Sequence, residues 1–163
     1  MNSDLDGALR QVAEEALETT AFMFVMEEEP GGLPPQAEAA VAAVPFDGPV
    51  CGTLVLAAAA EMLPELAGNM LGLAEDDAPP SSEQQHDAFK ELANVICGNL
   101  LPRMAGREAV FDVEAPRLVE QEERDAVTRS REPAAQLHID LDCGWANLAL
   151  YLCQAAADDE TVA

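Results

Sequence analysis

The chain has 163 residues, of which 31 are Asp or Glu and 8 are Lys or Arg, giving a formal net charge of −23. With 49% hydrophobic residues, this length is enough for one domain with a substantial core. The excess of negative charge repels phosphate backbones and anionic lipid head groups, which argues against nucleic acid and membrane surfaces as partners.

The first half of the chain predicts a helix, a hairpin and a second helix. Apolar residues recur at helical spacing from 4 to 26, and the Pro- and Gly-rich stretch that follows ends this predicted first helix. Val- and Ala-rich segments between 37 and 60 flank an Asp-Gly turn at 45–49, which predicts two antiparallel strands. A second helix is predicted at 60–72, where Gly72 ends it.

The second half predicts a long helix and a second hairpin. Ser81 or Ser82 is suited to cap a third helix over about 83–105. An extended segment at 109–121 and a polar loop follow it. Residues 137–142 then alternate between apolar and polar side chains, and a Cys-Gly-Trp turn leads into a partner strand. These elements predict an α+β fold in which an antiparallel sheet built from hairpins is covered by about three helices.

The cysteines and the N-terminus predict a cytoplasmic protein. The four cysteines, Cys51, Cys97, Cys143 and Cys153, form no CxxC pair and lie in apolar surroundings, so we expect them to be reduced and buried. The N-terminus lacks a basic region followed by an apolar run, which argues against a secretory signal. No stretch approaches the roughly 18 apolar residues of a membrane span. We expect a single domain over 1–163 with an acidic tail at 154–163.

Four residues of the third helix are predicted to share one face. Asp87, Glu91, Asn94 and Gly98 follow one another at intervals of four, three and four, which places them within about 60° of one another on a helix. The opposite side is apolar and is expected to pack on the sheet; it carries Phe89, Leu92, Ala93, Ile96 and Leu100.

This face has two interpretations from spacing alone. The solvent-exposed side of an ordinary amphipathic helix also carries acids, and such a face needs no function. Asparagine and glycine, however, are poor residues for a helix interior, glycine costing about 1 kcal/mol relative to alanine. On an exposed face, Gly98 removes a side chain and lets another surface approach the Asn94 amide.

The third helix resembles a known motif. Its segment DAFKELANVICGN is similar to the Asp/Ser-x3-Glu-x2-Asn motif of the CheC/CheX/FliY chemotaxis phosphatases, and the order of the other elements is similar over about 5–153. CheC-like members carry the motif twice, whereas the near matches here that begin at Glu14 and Glu61 lack the asparagine. With one intact motif, the chain resembles the CheX-like members.

The resemblance implies a phosphatase that hydrolyses the aspartyl phosphate of a CheY-type response regulator. In that case Asn94 orients the attacking water, and Glu91 pairs with the lysine that response regulators keep beside their phosphate. Asp87 and Gly98 are then expected to bind the partner. The chain itself is expected to hold no metal or other cofactor, because the Mg²⁺ that neutralises the phosphoryl oxygens is expected in the regulator's own site.

Two other functions stay open from the sequence. An exposed acidic helix also suits a non-catalytic module that binds a response regulator or a flagellar-switch component. Exposed edges of the predicted sheet also allow a homodimer. The −23 charge repels an acidic response regulator, which counts against the phosphatase function, although a Debye length of about 8 Å confines that repulsion at physiological salt.

Overall fold

The computed structural model describes residues 3–26, 39–120, 122–123 and 132–153. Most of the predicted polar loop at 122–133 and all of the predicted tail lie outside these residues. The elements in chain order are α1 (Ser3–Thr19), β1 (Ala39–Asp47), β2 (Gly52–Ala59), a 3-10 turn (Ala60–Met62), α2 (Leu63–Leu71), α3 (Ser82–Ala105), β3 (Asp112–Val113), β4 (Arg117–Leu118), β5 (Ala135–Leu141) and β6 (Gly144–Leu152). The predicted α+β architecture is confirmed. Within the described ranges, no helix combines the length and apolarity needed to cross a bilayer.

The strands form one antiparallel sheet in the order β3-β1-β2-β6-β5, with β4 also pairing with β1. Both predicted hairpins are present, and pairing of β2 with β6 joins them. The second turn is formed by Asp142 and Cys143 rather than Cys-Gly-Trp, because Gly144 already pairs with Leu141. The segment predicted as extended forms two short strands on β1 instead of one, β3 and β4.

The helices pack on one face of the sheet. Along β5, Leu137, Ile139 and Leu141 are buried, as their alternation predicts. Helix α1 contacts β5, whereas α3 contacts β1 and β2 and also contacts both of the other helices. Phe89 of α3 is fully buried, and burying a side chain of this size stabilises the fold by about 1.5–3 kcal/mol. This buried layer holds α3 against the sheet with a single side facing outward.

Helix α1 is shorter than the apolar spacing predicts. It ends at Thr19 rather than near 26. Val25 instead forms a β-bridge with Leu141, and the Met26 N–H donates to the Asp140 carbonyl oxygen at 2.8 Å. The prediction was wrong here because apolar residues a few positions apart suit both a helix and a chain that runs along a sheet edge.

The expectation of four reduced cysteines was wrong for two of them. Cys51 and Cys153 form a disulfide, with 5.4 Å between their Cα atoms. They lie directly beyond the last β2–β6 pair, Gly52 opposite Leu152, and the Cys153 N–H donates to the Cys51 carbonyl oxygen at 2.8 Å. A Cβ atom on Gly52 would overlap the Tyr151 carbonyl oxygen, so the close approach of the two strands requires glycine there.

The other two cysteines are free, as expected. Cys97 is fully buried in α3, and burial raises the pKa of its thiol to about 12. Cys143 is half-buried in the β5–β6 turn. Its pKa is raised to about 11, mainly by burial and further by the nearby carboxylates of Glu65 and Asp142. Both thiols therefore stay protonated at neutral pH.

Candidate functional site

Helix α3 begins at a defined cap, which fixes the residue at which the helix starts. Ser81 is the N-cap: the Gln84 N–H donates to the Ser81 hydroxyl oxygen at 3.1 Å, and the Ser81 N–H donates to the Gln84 side-chain oxygen at 2.9 Å. This reciprocal pair is a capping box. At the other end, Gly106 follows the helix as predicted, and its N–H donates to the Pro102 carbonyl oxygen at 2.8 Å.

The flanks of α3 are more buried than predicted. The five apolar residues assigned to its inner side are all buried, and so are Ala88, Cys97 and Leu101. These three lie outside the predicted stripe. They are buried because α1 and α2 both pack against α3. On the α1 side, Arg103 Nη1 donates to Gln11 Oε1 at 2.9 Å. Between Asp87 and Gly98, the exposed part of α3 is therefore a narrow strip.

The four motif residues lie along this strip. Asp87, Glu91 and Gly98 are exposed, and Asn94 is half-buried. Within the described part of the chain, neither the Glu91 carboxylate nor the Asn94 amide has a hydrogen-bond or ion-pair partner. A Cβ atom on Gly98 would have no neighbour within 4 Å, so packing inside this chain does not require glycine. We call these four residues the front row.

Asp87 differs from the rest of the front row because it is already paired. Lys90 Nζ lies 3.7 Å from Asp87 Oδ1, one helical turn away. Sequence reasoning also missed Glu83, which is exposed and lies one turn before Asp87. The signal was its spacing, since residues four apart share a helix face. The exposed strip thus carries three acids and one ammonium group beside the unpaired amide.

The family model for the chemotaxis phosphatase CheX matches residues 40–140. The matched region includes all of α3 and spans more than half of the chain. The chain belongs to the CheX family. This membership confirms the resemblance inferred from the α3 motif. The family is described as the chemotaxis phosphatase CheX.

Solved structures of CheX and CheC-like proteins share the fold. A CheX-CheY-BeF3-Mg²⁺ complex from Borrelia burgdorferi has 17% identity and a TM-score of 0.62, with 91% of this chain and 97% of that chain covered. CheX from Desulfovibrio desulfuricans has 14% identity and a TM-score of 0.66, with 91% of this chain and 99% of that chain covered. A CheC-like superfamily protein from a Shewanella species has 18% identity and a TM-score of 0.65, with 94% of this chain and 99% of that chain covered. Comparison with curated protein sequences gives no match.

Possible metal ligands are dispersed in this CheX family member. Among the residues that the structure describes, no group of three or more His, Cys, Asp or Glu side chains is arranged to hold a metal ion. The acids of the front row follow one another along a helix, which separates them by about 6 Å per turn. That the chain holds no metal of its own, with Mg²⁺ in the regulator's site, stays a prediction.

A second polar cluster lies on the face of β5 and β6 opposite the helices. His138 Nδ1 contacts Asn147 Oδ1, and His138 Nε2 lies 3.0 Å from Asp140 Oδ1. Its ring stacks on Trp145, with 6.4 Å between the centroids. Alternation along β5 placed His138 on this face, but the contact with Asn147 depends on the β5–β6 register and was not predicted. These polar contacts satisfy a half-buried histidine.

Proposed function

We propose that this protein is a phosphatase that hydrolyses the aspartyl phosphate of a CheY-type response regulator. The observation that carries the proposal is that Glu91 and Asn94, on an exposed helix face of a CheX family member, have no hydrogen-bond or ion-pair partner among the described residues. The Borrelia relative with the same fold is a complex of CheX with CheY, BeF3 and Mg²⁺. Beryllofluoride stands in for a phosphoryl group, so that complex supports a phosphorylated regulator as the partner here.

Asn94 is the proposed catalytic group. In the reaction, a water oxygen attacks phosphorus, the bond from phosphorus to the aspartyl oxygen breaks, and the aspartyl carboxylate leaves. An acyl phosphate is already reactive, so the main task of the enzyme is to hold water in line with that bond. A carboxamide both donates and accepts hydrogen bonds, which suits it to orient a water. The Asn94 amide has no competing partner among the described residues.

Glu91 is the proposed anchor, one turn from Asn94. Its carboxylate is exposed and would pair with the lysine beside the regulator's phosphate, and charge-assisted hydrogen bonds of this kind are the stronger ones. The pair would set how deeply α3 enters the regulator's pocket and thereby place the amide. The regulator would bring the Mg²⁺ that neutralises its own phosphoryl oxygens.

The direct test is a dephosphorylation assay. A regulator phosphorylated by a small phosphodonor is followed in Mg²⁺ with and without the protein, and the proposal requires faster loss of the aspartyl phosphate in its presence. In parallel, binding to the beryllofluoride-activated regulator is measured. Binding without faster loss would contradict catalysis and identify a non-catalytic regulator-binding module instead.

Glu91→Gln is expected to lower kcat/KM about 10-fold, because an ion pair with the regulator becomes a weaker neutral contact. The change should appear mainly in KM and in the affinity for the beryllofluoride-activated regulator. Glu15→Gln in α1 removes the same charge from an exposed helical position away from the front row and serves as the control. Equal effects of the two substitutions would contradict a specific role for Glu91.

Gly98→Gln is expected to change stability and activity in opposite directions. Glutamine is the better helix former, and the open space at Gly98 accepts a side chain, so the free energy of unfolding should rise by about 0.5 kcal/mol. The same side chain would obstruct a surface docking beside Asn94 and lower kcat/KM about 10-fold or more. Gly7→Gln, at an exposed glycine of α1 that also faces open space, should raise stability without lowering activity. A fully active Gly98→Gln variant would show that no partner approaches there.

A further inference from the structure

Lys90 is the only lysine in the chain, and it lies beside the front row. It follows Asp87 by three residues, directly precedes Glu91 and precedes Asn94 by four residues. Since residues three and four apart are neighbours on a helix surface, Lys90 borders both Asp87 and the proposed catalytic amide. A chain with a net charge of −23 thus places its single ammonium side chain next to its candidate site.

The ion pair of Lys90 and Asp87 is asymmetric in exposure. The Lys90 side chain is 33% exposed and the Asp87 side chain is 67% exposed, with 3.7 Å between Nζ and Oδ1. Asp87 is therefore the more exposed member of the pair, and so the one more accessible to a docking molecule. Without its counter-ion, it would present a full negative charge to that molecule.

The acids around the Lys90–Asp87 pair affect how easily the proposed anionic substrate approaches Asn94. Glu83, Asp87 and Glu91 occupy successive turns of α3 within about 12 Å along the axis. A phosphoryl group approaching Asn94 is itself anionic, so every unneutralised acid in this strip opposes its approach. Glu91 has a proposed counter-ion in the regulator, whereas the cation that neutralises Asp87 belongs to this chain.

We infer that Lys90 is a positioning residue for docking: by pairing with Asp87, it neutralises the acid one turn before Glu91 and lowers the repulsion between α3 and the phosphorylated regulator. This inference rests on the proposed function. It replaces the partner-binding role that the resemblance implies for Asp87, because here the Asp87 carboxylate opposes docking unless Lys90 neutralises it. An exposed pair of this kind contributes little to stability, so its removal should leave folding intact.

The test is a double-mutant cycle made of Lys90→Met, Asp87→Asn and the two together. Arg103→Met is the control, since it removes one positive charge from the same helix about 20 Å along the axis from Lys90, beyond the Debye length of about 10 Å at a low-salt condition of about 0.1 M. For each variant, kcat and KM for the phosphorylated regulator and the dissociation constant for the beryllofluoride-activated regulator are measured at low and high salt. Thermal unfolding verifies that each variant is folded.

Lys90→Met is expected to lower kcat/KM roughly five-fold at low salt, through KM, and less at high salt, where the charges are screened. Asp87→Asn, which leaves the lysine unpaired, should raise kcat/KM about two-fold, and the double variant should return close to wild type. A double variant as impaired as Lys90→Met would overturn the pairing role, as would an equal loss in Arg103→Met.

The binding arm separates this inference from the proposed catalysis. If wild type binds the activated regulator but does not hydrolyse the phosphate, the proposed catalysis fails, and the same cycle measured as dissociation constants decides the role of Lys90. If wild type neither binds nor hydrolyses, both proposals are overturned.

Discussion

Asn94→Ala is expected to reduce the acceleration of aspartyl-phosphate hydrolysis by about 100-fold or more, the cost of losing a group that positions a reactant. The amide has no hydrogen-bond partner among the described residues, so its removal breaks no hydrogen bond within the described fold. Alanine is also the better helix former, so the free energy of unfolding should rise by about 0.5 kcal/mol. Activity and stability would then change in opposite directions, which separates a catalytic role from a structural one.

The measurement is the single-turnover loss of phosphate from the regulator, with the regulator's own hydrolysis subtracted. Asn94→Asp should be at least as impaired, because it brings negative charge toward the phosphoryl oxygens. Asn99→Ala is the matched control, since this exposed asparagine of the same helix points about 140° away from Asn94. Full activity in Asn94→Ala would exclude the proposed mechanism even though the chain has the CheX fold.

The parts of the fold set by local chemistry were predictable from the sequence. Ser81 with Gln84 three residues later signals a helix start, and the structure contains that capping box. The spacing of Asp87, Glu91, Asn94 and Gly98 then predicts a shared face, because one helix of known phase places all four. The site was accessible to sequence reasoning because it lies on a single element.

The parts that depend on distant pairing were not predictable. Nothing near Thr19 signals a helix end, and α1 stops there while Val25 pairs with Leu141 more than a hundred positions along the chain. Pairing of Cys51 with Cys153 likewise requires the β2–β6 register, which neither local sequence contains. The disulfide links β2 and β6 at the end of their ladder, and the contribution of the disulfide to stability can be measured.

Removing the disulfide is expected to have the largest effect on stability. Cys51 and Cys153 are 102 positions apart, and a cross-link that closes a loop of that length is expected to stabilise the fold by about 4 kcal/mol, chiefly by restricting the unfolded chain. For a chain of this size the midpoint of thermal unfolding should fall by about 10 °C in the Cys51→Ser/Cys153→Ser double variant. A reductant should lower the wild-type midpoint similarly and leave that of the double variant unchanged.

Cys143→Ser is the matched control, because it removes a free, half-buried thiol and should leave the midpoint nearly unchanged. Thiol titration of the denatured protein provides an independent measure. Without reductant only Cys97 and Cys143 should react, whereas all four cysteines should react after reduction. In the native protein, Cys97 should be the slowest, since its burial raises its pKa to about 12 and the thiolate is the reactive form. Four thiols in the denatured, unreduced protein would show that the β2–β6 ladder is held by hydrogen bonds and packing without a covalent link.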